Sequence, residues 1–372
     1  MRALPQKRWG VPLEWETKAF FIVSCWERSQ EIPVARTLVE VARLAGVSRS
    51  TVSRVINDDP NVGSETRQRV WQAVRESGYQ PHAVARSLVT KRTHIIGMVI
   101  PELVTALFTD PFFPILLRSA TESCNEHRYQ LMLSLFSSSA DRQEMYERLV
   151  GNAYLDGVIV ASAALDDPLI PDLLRDGVPF VCVGRHPDAR VRSVDVDNTG
   201  GARMAVDYLI RLGHRRIGAL TGRLDTAHGQ DRLEGYRQAL TTHRIAFNED
   251  LVVEGDFTEG SGMMGVQRLL PADPSAVFVA SDTMAVGALR ALRQAGLEVP
   301  RDMAMVGFDD IPMASAIEPP LTTVSQPIGR LAALAVETLL DLIEHPGSGP
   351  QRIVLPTQLV VRESCREKEV IA

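Results

Sequence analysis

Apolar residues recur with the spacing of an amphipathic helix in the segment 37–57, TLVEVARLAGVSRSTVSRVIN. The first four stand at positions i, i+3, i+4 and i+7, which predicts a short helix; they are Leu38, Val41, Ala42 and Ala45. Gly46 then interrupts the pattern, as a turn between helices needs a residue that tolerates unusual backbone angles. Ser48 is a suitable N-cap for a second helix, whose inward residues are Val52, Val55 and Ile56.

The opposite face of this second helix is polar and partly basic, with Arg49, Ser50, Ser53, Arg54 and Asn57. Two short helices of this kind are typical of a helix-turn-helix, whose second helix lies in the DNA major groove. The alternative is an ordinary helical hairpin with a solvated face. The candidates for base readout are Arg49, Ser50 and Arg54, with Arg54 assigned to a guanine. The candidates for phosphate contact are Ser48, Thr51 and Ser53.

A third helix is predicted after Ser64 as its N-cap, and Gly78 ends it. The run YQPHAVARSLVTKRT follows at residues 79–93. Together these stretches closely resemble the DNA-binding segment of the lactose/galactose repressor (LacI/GalR) family. The resemblance implies that the second helix reads bases and that a hinge helix forms on the operator. Leu88 stands where that family wedges a leucine into the minor groove, with Val84 and Ala85 beside it.

From Thr93 onward, short β-branched runs alternate with amphipathic helical patterns. Continuous apolar strands separated by helices indicate parallel sheets with helices on both faces. The runs lie at 95–100, 129–136, 155–162, 178–184, 191–197, 215–222, 275–281, 303–309 and 321–326. About ten strands are too many for one comfortable sheet. The predicted fold is therefore α/β, with two doubly wound parallel-sheet subdomains and a ligand cleft between them.

The body resembles the same family, whose regulatory domain is similar to periplasmic sugar-binding proteins. The motifs are PFF (111–113), VDVDNTGGARMAVDYLIRLGHRRIGALTG (194–222), DRLEGYRQAL (231–240), GDFTEGSG (255–262), VFVASDTMAVGALRAL (277–292), VGFDDIP (306–312) and PPLTTVSQP (319–327). The implied domains are a helix-turn-helix at 36–80, a hinge at 81–93, an effector-binding domain at 94–366 and a tail at 367–372. Subdomain one comprises 94–196 and 327–354, and subdomain two 197–326 and 355–366. The implied crossings lie near Val196–Asp197, Ser325–Pro327 and Ile353–Leu355.

Charge divides the chain at the same place. Residues 36–93 hold ten Lys/Arg and five Asp/Glu, a net charge of +5; the whole chain carries −6, so the remainder carries −11. A basic head on an acidic body suits contact with double-stranded DNA through the head alone, although chance scatter of charge is the alternative. Four cysteines without CxxC spacing favour a reducing cytoplasm and neither a zinc site nor a disulfide framework. No apolar run is long enough to predict a membrane span.

The first 35 residues contain AFFIVSC (19–25), which looks like a bacterial lipoprotein signal before Cys25. The apolar run is short, however, and Glu14, Glu16 and Lys18 stand just upstream, whereas a secretory signal needs a longer uninterrupted core. Export would also place a DNA-reading head outside the cell. Residues 1–35 are therefore expected to be a poorly ordered leader, or to precede a true start near Val34.

Polar residues at strand ends are the candidates for ligand binding: Asp225, Arg232, Asp282, Asp309 and Asp310. Carboxylates accept pairs of hydroxyl hydrogen bonds and arginine donates two in a fixed fork, which suits a polyhydroxylated ligand such as a sugar. The family resemblance implies that Arg232 is the effector-binding arginine, that Asp309 contacts the ligand from the opposite strand, and that Ser281 replaces an asparagine contact. For Asp282 and Asp310 the alternative is capping of the following helix, and capping is preferred for Asp310.

Two aromatic residues and one further arginine leave the chemical class of the effector undetermined. Phe113 and Phe257 match family positions where rings face the effector, and a ring packs on a sugar or stacks on a base. Core filling is the alternative for each ring. Arg185, in VGRHP, follows a strand and could meet a phosphate or carboxylate group of the ligand. A salt bridge at the cleft edge is the alternative for Arg185.

Nothing in the sequence indicates catalysis, since P-loop, G-x-S-x-G and HExxH motifs are absent and the eight histidines form no ligand cluster. No enzyme, metal site or cofactor is predicted. The sequence predicts a cytoplasmic transcriptional repressor that acts as a homodimer on a pseudo-palindromic operator and responds to a small effector, a sugar by preference. The tail lacks the leucine heptads of a tetramer. The alternatives are an importer's solute-binding protein with an accidental head, and a carbohydrate-active enzyme.

Overall fold

The computed structural model of the protein describes residues 37–56, 59–79, 92–103, 107, 109–136, 146, 154–347, 349 and 351–366. Several predicted features lie outside these residues: the leader at 1–35, Asn57, the hinge residues Val84, Ala85 and Leu88, and the tail at 367–372. The chain divides into two compact units, Met1–Thr93 and His94–Ala372. They are called the head and the body below.

Two short helices of the head follow the predicted pattern. Helix α1 (Leu38–Ala45) ends at Gly46, whose left-handed backbone, with φ of 63°, lets its N–H bond back to the last turn. Helix α2 (Arg49–Ile56) is preceded by Ser48, and the Oγ atom of Ser48 accepts a hydrogen bond from the N–H of Thr51 at 3.1 Å. The cap predicted for the second helix is therefore confirmed.

The third helix of the head differs from the prediction at its first residue. Helix α3 (Ser64–Ser77) includes Ser64, and Gly63 occupies the N-cap position without a side-chain hydrogen bond. The predicted Ser64 cap is wrong because the helix begins one residue earlier than the pattern suggested. The three helices share one small core, which consists of Val41, Ala42, Ala45, Val52, Val55, Val70, Ala73, Val74 and Tyr79.

Subdomain one of the body is built on a six-stranded parallel sheet. Its strands are β1 (Ile95–Leu103), β2 (Gln130–Phe136), β3 (Gly157–Ala161), β4 (Phe180–Val183), β5 (Ser193–Val196) and β11 (Arg352–Leu355). They lie in the order β11–β5–β4–β3–β1–β2, and each neighbouring pair is parallel. Its helices are α4 (Phe112–Glu126), α5 (Leu169–Arg175) and α11 (Ile328–Glu344).

Subdomain two has a second six-stranded sheet. Its strands are β6 (Ile217–Thr221), β7 (Val252–Glu254), β8 (Ala276–Val279), β9 (Ala304–Asp309), β10 (Thr322–Ser325) and β12 (Gln358–Val360). They lie in the order β12–β10–β9–β8–β6–β7, and only β12 at the edge is antiparallel to its neighbour. Its helices are α6 (Asn198–Arg211), α7 (Ala227–Thr242), α8 (Glu259–Leu269), α9 (Asp282–Gln294) and α10 (Pro312–Ala316).

The central strands are buried along their whole length, as the continuous apolar runs predicted. Every residue of β3, β6 and β8 is buried. Parallel strands covered by helices on both faces have this pattern because neither face meets water. The predicted architecture of two doubly wound subdomains is confirmed.

The chain crosses between the subdomains three times. The first crossing passes through Asp197, between β5 and α6, and the second through residues 326–327, between β10 and α11. The third passes through residues 356–357, after β11, whereas the prediction placed it within that strand. Each crossing leaves the carboxyl end of a strand. The crossings therefore lie at the sheet edges where ligands of open α/β sheets bind.

Within the part of the chain that the structure describes, no helix is both long and apolar enough to span a bilayer.

Candidate functional site

The predicted base-reading side chains stand on the solvent face of α2. Arg49, Ser50 and Arg54 are exposed, whereas Val52 and Val55 of the same helix are buried in the head. The Arg54 side chain is 67% exposed, and its Nε atom lies 3.9 Å from a carboxylate oxygen of Asp59. So exposed an ion pair holds a side chain weakly. Arg54 can therefore exchange this contact for another acceptor.

The predicted phosphate contacts are partly engaged within the helix itself. The Ser48 hydroxyl lies 2.7 Å from Ser50 Oγ and 2.8 Å from Thr51 Oγ1, besides capping α2. Thr51 and Ser53 are half-buried. Because a helix N-terminus carries partial positive charge and free N–H groups, this end of α2 suits a phosphate oxygen as well as a base edge.

The second candidate site is a cleft between the two subdomains of the body. Its space, with open solvent at the mouth included, is about 790 Å³. The cleft lies at the carboxyl ends of strands from both sheets. The lining residues are Thr109, Asp110, Phe112, Phe113, Ser162, Val183, Gly184, Asp195, Val196, Asn198, His228, Arg232, Asp256, Phe257, Thr258, Asp309, Gln326 and Leu331.

Arg232 on α7 is the centre of the polar lining and is only 4% exposed. Its Nε atom donates to Asn198 Oδ1 at 2.9 Å, and Nη1 donates to the Ala280 carbonyl at 2.5 Å and to Asp309 Oδ1 at 3.2 Å. The guanidinium lies 3.7 Å from the centre of the Phe308 ring. Among the described residues, Nη2 has no hydrogen-bond partner and is not sealed from solvent. Nη2 is therefore available to a ligand.

Asp309 is the last residue of β9, and its carboxyl group faces Arg232 on α7. Its Oδ1 atom also accepts a hydrogen bond from Gln326 Nε2 at 2.6 Å, and its backbone is in the positive-φ region at 116°. Burial raises the pKa of Asp309 to about 7; Arg232 opposes this rise and Asp110 adds to it.

Two carboxyl groups of subdomain one complete the polar lining. Asp195 on β5 is 3% exposed and accepts a hydrogen bond from Asn198 Nδ2 at 3.0 Å. Asp110 accepts from Thr283 Oγ1 at 3.3 Å, which joins the subdomains on that side. Burial raises the pKa of both Asp110 and Asp195.

The two predicted aromatic residues both line the cleft. Phe113 on α4 is 5% exposed and also belongs to the core of subdomain one, so it fills the core and borders the ligand space. Phe257 lies in the loop before α8 with φ of 67°. A Cβ atom at Gly222 would come within 1.7 Å of the Phe257 ring, so a glycine there lets the ring pack against the backbone.

Sequence reasoning missed His228, Asn198, Asp195 and Gln326. His228 precedes Arg232 by four residues on α7, so the two share a helix face. The centres of the His228 and Phe257 rings are 5.0 Å apart. His228 is half-buried at the cleft wall, and loss of solvation, assisted by Arg232 and Arg223, lowers its pKa to about 3. The four-residue spacing from Arg232 was the signal that could have identified it.

Two other residues that were predicted to contact the effector, Asp225 and Ser281, are not among the lining of the cleft. Asp225 is exposed and pairs with Arg223, with atoms 2.6 Å apart, and it does not line the cleft. Ser281 is 1% exposed, and its hydroxyl caps α9 by accepting from the N–H of Met284 at 3.2 Å. Both predicted ligand contacts therefore have other partners in this structure.

Asp282 is buried behind the cleft rather than in it. Its Oδ1 atom accepts from Thr323 Oγ1 at 2.6 Å, and Oδ2 accepts from the N–H of Ile311 at 3.1 Å. Burial, followed by the charge of Asp309, raises its pKa well above the ordinary carboxyl value. Capping of α9 by Asp282, the alternative interpretation, is wrong because Ser281 performs it.

The preferred interpretation of Asp310 is also wrong. The helix that follows, α10, has no side-chain cap. Asp310, with φ of 59°, instead accepts a hydrogen bond from Arg362 Nη2 at 2.6 Å. Arg185, in turn, forms the salt bridge that was its alternative: its Nε and Nη2 atoms donate to both carboxylate oxygens of Asp231 at 2.7 to 3.0 Å. This pair joins subdomain one to α7 of subdomain two.

Within the described residues, no group of three His, Cys, Asp or Glu side chains is placed to hold a metal ion.

Comparisons with known proteins cover both the head and the body. Residues 37–82 match the family described as bacterial regulatory proteins, lacI family, and residues 206–365 match the periplasmic binding protein-like domain. The HTH-type transcriptional regulator CelR of Thermobifida fusca is 42% identical over 333 residues, which cover 88% of this chain and 98% of that protein. The ribose operon repressor of Haemophilus influenzae is 37% identical over 332 residues, with coverage of 88% and 98%. The PurR repressor of Aliivibrio salmonicida is 36% identical over 332 residues, with the same coverage.

Solved structures give the same result. A CelR–cellobiose complex has a TM-score of 0.71 at 40% identity and covers 88% of this chain and 99% of its own. The lac repressor dimer bound to operator and the anti-inducer ONPF has a TM-score of 0.77 at 29% identity, with coverage of 89% and 99%. A helix-turn-helix head followed by a periplasmic-binding-protein-like body defines a ligand-responsive DNA-binding regulator. The chain belongs to the LacI family of bacterial transcriptional regulators.

Proposed function

We propose that this chain represses transcription and that a sugar bound in the body's cleft controls its affinity for the operator. The observation that carries the proposal is the buried Arg232–Asp309–Asn198 cluster, whose free Nη2 atom lies in a cleft bordered by Phe113 and Phe257. Carboxyl, amide and guanidinium groups beside rings suit a ligand with many hydroxyls and an apolar face. The CelR–cellobiose complex supports a sugar.

On the DNA side, we propose that Arg49, Ser50 and Arg54 read bases, with Arg54 on a guanine. Two heads of a homodimer would bind a pseudo-palindromic operator, because symmetric half-sites match a two-fold dimer. The lac repressor dimer among the structural neighbours supports this assembly. Leu88, flanked by Val84 and Ala85, would insert at the operator's centre and bend it.

The test uses the full-length protein and an operator selected from random duplex DNA. Operator binding is measured by fluorescence anisotropy during titration with cellobiose, ribose or hypoxanthine. We expect one sugar to change operator affinity at least about tenfold, which corresponds to about 1.4 kcal/mol of coupling. The same titration gives the direction of the change. The Arg232→Ala variant should bind operator and ignore the sugar. A response to hypoxanthine alone would show that the effector is a purine rather than a sugar. Stacking on the two phenylalanines would then be their role in binding it.

A further inference from the structure

We propose that the cleft selects an uncharged sugar and rejects phosphorylated or acidic sugars, with His228 as a specificity-determining contact. The proposal depends on the sugar effector proposed above and specifies that this sugar carries no charge. Its basis is the set of acidic and basic groups that face the ligand space, together with the partners that these groups already have.

Among the described residues that line the cleft, carboxyl groups outnumber the side chains of arginine and lysine. The acidic ones are Asp110, Asp195, Asp256 and Asp309, and Arg232 is the one arginine or lysine in this described set. A phosphate or carboxylate on the ligand would lie among these groups. Burial already raises the pKa of Asp110, Asp195 and Asp309, and an anionic group of the ligand would raise it further, which costs free energy for each carboxyl group that must take up a proton. The lining therefore disfavours a second anion.

The guanidinium of Arg232 is already engaged within the protein. Asp309 Oδ1, Asn198 Oδ1 and the Ala280 carbonyl accept the hydrogen bonds of its Nε and Nη1 atoms. What remains for the ligand is the Nη2 atom, which can donate to a hydroxyl oxygen. A guanidinium with one free donor nitrogen suits a single hydroxyl acceptor better than a phosphate, which Arg binds through its full fork.

The charge of Arg185 is balanced by an ion pair within the protein. Both oxygens of Asp231 receive its hydrogen bonds, and the two side chains are only 27% and 15% exposed. Freeing Arg185 for an anionic ligand would leave the Asp231 carboxylate half-buried and unpaired, which costs free energy. The residue that the sequence offered for an anion is therefore not available to one.

His228 adds hydrogen-bonding capacity without charge. Its imidazole lies against Phe257, and among the described residues neither ring nitrogen has a hydrogen-bond partner. The low pKa keeps the ring neutral, so it presents one N–H donor and one acceptor nitrogen. A sugar hydroxyl both donates and accepts, and therefore matches such a ring. A protonated histidine would have matched a phosphate instead.

The experiment measures the binding of matched neutral and acidic sugars to the full-length protein by isothermal titration calorimetry. The probes are cellobiose with cellobionate, and ribose with ribose 5-phosphate. For the pair whose neutral member binds, we expect the acidic member to bind at least about 100-fold more weakly, equivalent to about 2.7 kcal/mol. Equal or tighter binding of the acidic member would overturn the inference but leave the sugar effector in place. Absence of binding by all four would overturn both.

Substitutions at His228 test its part. His228→Ala should weaken binding of the neutral sugar about tenfold, and His228→Gln, which keeps a donor and an acceptor, should restore most of it. His228→Lys adds a cation and should reduce the ratio of the affinities for the neutral and the acidic sugar at least about tenfold. The matched control is Glu234→Gln, an exposed position on the same helix. A ratio unchanged in His228→Lys, with thermal melting like that of the parent, would remove His228 from the specificity role.

Discussion

Arg54 in the head and Arg232 in the body are the arginines assigned to the two ligands, and their surroundings differ. Arg54 is 67% exposed on one side of a short helix, and a carboxylate oxygen of Asp59 lies 3.9 Å from its Nε atom. Arg232 is 4% exposed and hydrogen-bonds three oxygen atoms that come from three separate parts of the chain. In the head, the side chains proposed for recognition are ones that the fold does not need. In the body, the side chains proposed for recognition also hold the protein together.

The largest effect should come from Arg232→Ala. We expect it to abolish the effector response and to lower the free energy of unfolding of the body by about 3 to 5 kcal/mol, because Asp309 and Asn198 lose a buried partner. Operator binding should persist. Urea unfolding and operator titration measure the two effects, and Arg268→Ala, at an exposed position on α8, is the control. A variant of full stability that still responds to effector would remove the distinction between head and body.

The next effect concerns pH. Because burial raises the pKa of Asp309 to about 7, the folded chain keeps a proton that the unfolded chain releases between the ordinary carboxyl value and that pH. Stability should therefore fall as pH rises from about 4 to 7 and level off above, with a slope of at most about 1.4 kcal/mol per pH unit for this proton. Urea unfolding at several pH values, compared with Asp309→Asn, measures it. If Asp309→Asn keeps the parent's dependence of unfolding free energy on pH, the proton is bound by another group.

In the head, Arg54→Ala should cost about 1 to 3 kcal/mol of operator binding and relax the preference for one base in each half-site. Thermal stability should change little, since the contact with Asp59 is exposed. Binding to an operator and to its single-base variants measures the loss, with Arg75→Ala on α3 as a control for charge alone. Equal weakening on every sequence would show that Arg54 contacts phosphate rather than a base.

The smallest effect should come from the pair between the subdomains. Arg185→Ala and Asp231→Ala should each change effector affinity, and the double variant should change it by less than their sum, with a coupling energy of about 1 kcal/mol. The half-buried pair holds the two walls of the cleft together, so its loss should act on closure. Strict additivity would show that the pair contributes nothing to the closed form.

The same contrast explains what could be predicted from the sequence. In the head, local spacing defines the helices and their exposed face, and only the first residue of α3 was misplaced. In the body, the long buried strands were evident. β7, β11 and β12 were not among the predicted runs, because they are edge strands of only three or four residues.

For the cleft, position at a strand end did not reveal the direction of a side chain. Asp282 and Asp309 both follow or end a buried strand, yet Asp282 turns inward to Thr323 while Asp309 faces the ligand space. Arg232, Asp309, Phe113 and Phe257 were identified through family resemblance, and all four line the cleft. Gln326 and Asn198 lie at or beside chain crossings, and only the three-dimensional arrangement brings Asn198 to Arg232 and Gln326 to Asp309.

The three crossings also limit the motions of the body. Between the last strand residue of one subdomain and the next element of the other, the chain has one residue at Asp197 and two residues in each of the other connections. An extended chain spans at most about 3.6 Å per residue, so each connection restricts separation at that edge to about 10 Å. Wide separation of the two subdomains is therefore excluded, whereas rotations that keep the three connections short remain. The lengths of the connections thus favour changes in the angle of the cleft, a motion on which a ligand bound there can act.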